Sequence, residues 1–200
     1  MSALEHRKRW SAIGIAVVAA ALFAGAVVAG HFDAAPTGLE AAVRDEPLVR
    51  VARIPAANGL GERGVFVQPT SAGFLCLWDA PDATSSARQG GCNPADDPLA
   101  GEELFVSLAY DGGPDVTGVR DARLIGIAAN DVAQVSVVMS DDTRRTVTLR
   151  TVGVGGRSYR AFGYRLRRAD LEQGLGPTAV LALDARGVEI DRQATGFGAG

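Results

Sequence analysis

Residues 134–152, QVSVVMSDDTRRTVTLRTV, decide the fold class. A strand turns successive side chains to opposite faces, so alternation with a period of two marks a sheet with one face covered. In the first half Val135, Val137 and Met139 share one face, and Ser136, Val138 and Ser140 share the other. Ser140, Asp141, Asp142 and Thr143 are turn-forming residues in a row. Residues 144–152 then set Val147 and Leu149 against Thr146, Thr148 and Arg150. The inference is a β-hairpin.

The same reading extends outward. Strands are expected at 65–67, 74–78, 104–110 and 123–128 on one side, and at 159–166 on the other, after a glycine-rich turn at 153–156. Residues 168–175 suit a single helical turn, and 180–183 pairs with 188–190 around Asp184 to Gly187 as a last hairpin. Short strands punctuated this often predict a mainly β chain: a small β-sandwich or barrel-like domain over residues 48–192. Residues 193–200 are expected to be a flexible tail.

The N-terminus has a different character. Residues 11–30, SAIGIAVVAAALFAGAVVAG, carry no charge and no proline, and follow Arg7, Lys8 and Arg9. As a helix they span ~30 Å, the thickness of a bilayer core. The positive-inside rule makes 1–10 a cytoplasmic tail, 11–30 a single transmembrane helix or signal anchor, and 31–47 a linker with a short helix at 39–43. The main domain then lies outside the cell membrane. The competing reading is a signal peptide cleaved near Ala29, which would release the domain as a secreted protein.

Cys76 and Cys92 are the only cysteines in the chain. In an exported domain an even count predicts a disulfide, here pinning a loop to a strand. This layout, together with GIAANDVAQV at 126–135, resembles a class of uncharacterised actinobacterial exported, membrane-anchored β-rich domain proteins. The phrase resembles their G-x-x-P-D-x-V-x-x-V motif, with Asn130 where proline is usual and Asp142-Thr143 where the following hairpin usually has Asp-Gly. The resemblance implies location and β-architecture, and no activity comes with it.

Composition restricts the chemistry. The only lysine is Lys8 and the only histidines are His6 and His31, so Ser-His-Asp and Ser-Lys nucleophilic machinery cannot be assembled in the domain. A net charge of −3 argues against nucleic acid as a partner. No cofactor, metal ligand set or catalytic group is expected. A pair of carboxylates acting on cell-wall glycans is the enzymatic alternative, with Asp79, Asp82, Asp96, Asp97, Glu102, Glu103, Asp111 and Asp115 as candidates.

Charge is segregated along the chain. Between Asp142 and Asp170 lie eight arginines and no acid: Arg144, Arg145, Arg150, Arg157, Arg160, Arg165, Arg167 and Arg168. One reading is a set of solvated strand faces, or a block neutralised by the acids at 79–115. The other is a surface for an anionic cell-surface polymer or protein partner, with Tyr159, Phe162 and Tyr164 interleaved as stacking groups or as core. The expected function is non-enzymatic binding or scaffolding at the cell surface, with the membrane engaged through 11–30.

Overall fold

In chain order the strands are β1 (Val49–Ile54), β2 (Arg63–Pro69), β3 (Phe74–Ala80), β4 (Gln89–Pro94), β5 (Leu104–Gly112), β6 (Val119–Ala129), β7 (Gln134–Met139), β8 (Arg144–Val147), β9 (Arg150–Val154), β10 (Arg157–Arg165), β11 (Pro177–Leu183) and β12 (Glu189–Ala194). One helical turn, α1 (Arg168–Glu172), sits between β10 and β11. The computed structural model describes residues 47–112 and 119–197. The expected cytoplasmic tail, the apolar segment 11–30 and the linker up to residue 46 lie outside the described residues, as does Asp115. Among the described residues no helix is long and apolar enough to cross a membrane.

The chain is mainly β, built as three four-stranded antiparallel sheets. Sheet one has the order β1-β2-β3-β4, sheet two β5-β6-β10-β9, and sheet three β12-β11-β7-β8. Sheet two lies between two hydrophobic cores, and the alternation along β6 and β10 assigns its faces. Ile125, Ile127 and Ala161 pack against Ile54, Val65, Val67 and Leu77 of sheet one. Ala122, Leu124, Ala128 and Phe162 pack against Val135, Val137, Met139 and Val180 of sheet three. Covering both faces explains the nearly continuous apolar run of β6, because neither parity has to be polar.

The hairpin at 134–152 forms at its first end. β7 pairs with β8, with Val137 opposite Arg145 and Val135 opposite Val147. Asp142 takes the left-handed conformation in the turn (φ 61°), and the Asp141 carboxylate accepts from the Thr143 N–H and hydroxyl. The second half departs from the single expected strand. The ladder stops at Val147, and at Arg150 the chain joins sheet two, where β9 pairs with β10. Residues 148–149 therefore carry the chain from one sheet to the next.

Two strands had no clear signal in the sequence, β1 and β4. The Cys76–Cys92 disulfide is present, and the two residues lie directly opposite each other on β3 and β4. It joins strand to strand, where a loop-to-strand staple was expected, because the glycines before Cys92 extend as an edge strand. β12 includes Gln193 and Ala194, and Phe197 packs on the core between sheets two and three.

Candidate functional site

Gly163 provides the starting point. It stands on the β10 face toward sheet one, and a Cβ there would lie 2.7 Å from Ile54 Cγ1, 2.8 Å from Val65 Cγ2 and 3.0 Å from the Arg53 carbonyl oxygen. The missing side chain lets β1 lie directly on β10. β9 covers the outer edge of β10 only from Arg157 to Ala161. The Leu166 N–H donates to the Ala122 carbonyl at 2.9 Å on the β6 side. Backbone groups alternate in direction along an antiparallel strand, so those of Gly163 and Arg165 point to the uncovered edge.

The other exposed flank of this sheet is treated differently. Gln89 accepts from the Tyr110 N–H at 2.9 Å and donates to its carbonyl at 3.2 Å. From sheet three, the Gln193 side chain accepts from the Val106 N–H at 2.7 Å, and Asp191 from the Glu103 N–H at 3.0 Å. Side chains from both neighbouring sheets thus close the β5 edge. Among the described residues no strand pairs with the outer edge of β10 beyond Ala161.

Two adjoining recesses occupy that edge. One, of about 380 Å³, lies between β1 and the β8–β9 passage and is lined by Arg53, Arg150, Arg165 and Tyr164, among others. The second, of about 360 Å³, is lined by Arg144, Arg145, Thr146, Tyr164, Arg165 and Arg167. They share Thr146, Tyr164 and Arg165, and no acidic residue lines either.

The eight arginines of the block divide by what they touch. Arg157 donates to the Asp96 carbonyl at 2.7 Å, Arg160 to the Thr151 hydroxyl at 3.5 Å, and Arg168 pairs with Glu172 at 2.7 Å, all outside the recesses. Arg165 lines both, yet its guanidinium turns inward and donates to the carbonyls of Pro55 and Gly61 at 2.8 and 2.9 Å. Arg145 shares the inward parity of Val147, and its Nη2 lies 3.8 Å from Asp170 Oδ1. Arg144 takes the opposite face of β8, on the side of Glu189, which the Arg192 hydrogen bond holds below the usual carboxylate range with a smaller contribution from the Arg144 charge. Arg144, Arg150 and Arg167 make no ion pair among the described residues. Arg53, outside the sequence block, joins the site from β1 and reaches Glu62 at 3.6 Å.

The aromatic residues divide as well. Tyr159 and Phe162 are buried core residues. Tyr164 is half-buried at the floor where the recesses meet, and its hydroxyl is enclosed without a well-aligned hydrogen-bond partner, like Arg145 Nε and Asp170 Oδ2 beside it. Burial, reinforced by the Asp170 charge, pushes the phenol up, with Arg167 and Arg145 pulling against it. At neutral pH it is a protonated donor.

Behind the recesses, at the same end of the gap between sheets one and two, the apolar layer gives way to an ionic one. Arg123, fully buried, donates through Nε to Asp79 at 2.7 Å and through Nη1 to Asp111 at 2.8 Å and to Asp121. Arg63 reaches Asp79 at 2.7 Å, and Arg165 Nε lies 3.1 Å from Asp121. Three arginines and three aspartates thus balance across two sheets. Two candidate acids, Asp79 and Asp111, are committed here. The Arg123 hydrogen bond holds Asp111 below its ordinary value against a partly opposing burial.

Asp82 caps its own turn through Thr84, and Asp97 accepts from the Gly101 N–H. Among the described residues the two candidate acids that come together, Asp79 and Asp111, do so on the Arg123 guanidinium. Among the described residues no three His, Cys, Asp or Glu side chains gather as a possible metal site. No protein-family model, curated protein or solved structure matches the chain.

Proposed function

We propose that this chain is a single-pass, membrane-anchored extracytoplasmic protein whose β domain acts without catalysis, by binding an anionic polymer or protein surface at the β10 edge. The observation that carries this reading is the convergence of Arg53, Arg144, Arg145, Arg150 and Arg167 on two contiguous recesses with no acidic lining. Solvated strand faces would have scattered these charges. Arg53 and Arg145 each face one acid, Glu62 at 3.6 Å and Asp170 at 3.8 Å, while Arg150 and Arg167 pair with none among the described residues. On this reading the anchor is residues 11–30, and the mainly β build of the described residues agrees with the β-architecture that the resemblance to actinobacterial exported domains implies.

The test uses the full chain in a neutral detergent and a fluorescent anionic polymer, with binding followed from low to physiological salt. Partly exposed charges are screened over ~8 Å at physiological ionic strength, so affinity is expected to fall steeply. R145A/R150A/R167A is expected to lose that binding, and R150A/R167A, which leaves Arg145 beside Asp170, to weaken it while keeping its thermal midpoint. Arg165 is left intact because its guanidinium holds the fold. Equal binding by the triple variant would sink the proposal.

A further inference from the structure

Building on that reading, we infer that the recess is a phosphoryl site, in which Arg145, Arg167, Tyr164 and the free edge of β10 hold the tetrahedral oxygens of a phosphate group. A carboxylate presents two coplanar oxygens, which one guanidinium satisfies side-on. Here the donors converge from different elements and directions. Arg145 comes from β8, Arg167 from the residue before α1, Tyr164 from the β10 face toward sheet three and the Arg165 N–H from the β10 edge, with the Gly163 N–H next along that edge in the adjoining recess.

The Tyr164 hydroxyl and Arg145 Nε are enclosed without a well-aligned hydrogen-bond partner, and the Arg145 guanidinium itself faces the phenol, pulling its pKa down against the burial that raises it. An enclosed donor without a partner costs free energy, and an anionic oxygen removes that cost. Arg150 and Arg167 add charge that no ion pair in the described residues offsets. The geometry therefore suits a ligand with more than one anionic phosphoryl oxygen, supplied by a chain of phosphates or by a row of phosphodiester headgroups.

Asp170 sharpens the assignment. Its carboxylate faces Arg145 at 3.8 Å from below. It positions the guanidinium and opposes an incoming anion. Removing its charge is expected to strengthen the binding of an anion at Arg145.

The experiment measures competition for the polymer-binding site of the full chain in neutral detergent. The competitors are inorganic tripolyphosphate, phosphatidylglycerol vesicles and poly-glutamate at matched charge. The two phosphate forms are expected to compete at least about tenfold better than poly-glutamate, and which of them wins separates a soluble from a lipid source. Y164F keeps the ring packed and should weaken tripolyphosphate by about tenfold, the value of one charge-assisted hydrogen bond. D170N should tighten it, with the thermal midpoint reporting whether the fold persists. Equal competition by poly-glutamate, with Y164F and D170N inert, would overturn the phosphoryl assignment and leave the anionic-binding reading standing. Loss of all polymer binding in the parent chain would end both.

Discussion

Arg123 is the residue whose placement organises the most around it. An arginine with no exposed side-chain surface is tolerable only because three carboxylates surround it. Arg123→Met would leave Asp79 and Asp121 desolvated beside a thioether, with Arg63 and Arg165 compensating only in part. The expected loss is about 3–5 kcal/mol in urea denaturation. The matched control, Arg168→Met in the exposed pair with Glu172, should cost under about 1 kcal/mol. Asp111 adds a pH dependence of known sign. Its folded-state pKa is depressed, so its contribution is present above the unfolded value and lost as pH falls through the folded one. The thermal midpoint should decline as pH falls through and below the ordinary aspartate range, and less steeply in Asp111→Asn. An unchanged acid limb in that variant would mean Asp111 is not held as described.

At the scale of elements, β1 and β10 depend on one missing side chain. Gly163→Val would press on Ile54, Val65 and the backbone of Arg53, with an overpacking cost of about 1–3 kcal/mol. Relief requires β1 to lift, and β1 carries Arg53, so calorimetry should show a lower midpoint together with weaker anion binding. Elements also show what could be read in advance. The β7–β8 hairpin was legible because one face is greasier than the other and Asp141-Asp142 marks its turn. β4, QGGCNP, has no such contrast: its glycines permit close approach, leaving no periodic pattern to detect. The passage from sheet three to sheet two at 148–149 leaves no local mark either, since Thr148 and Leu149 continue the alternation unbroken. The site inherits this limit. The arginine block was visible as charge in sequence, but Arg53 entered it only through the β1–β10 contact, and Arg157, Arg160 and Arg168 left it through local partners. The six-member ionic layer behind the site was not legible in the sequence: Asp121 lies two residues from Arg123, but Asp79, Arg63 and Arg165 reach the layer from other strands.

For the whole molecule the testable claim concerns attachment. If residues 11–30 remain as an anchor, the chain should stay with membranes through a high-salt wash and leave only in detergent. Soluble protein beginning near Gly30 would replace the anchor with a cleaved signal. Recovery with membranes in low salt but not in high salt would place the attachment in the arginines instead.

The central position of sheet two has one more consequence. Ile125 and Ile127 of β6 complete the core with sheet one, and Ala122, Leu124 and Ala128 complete the core with sheet three. Neither flanking sheet has its inner face covered without it, so neither is a subdomain in its own right. The described region should melt in a single cooperative transition, and its slowest-exchanging amides should cluster along β6 and β10, where both halves meet.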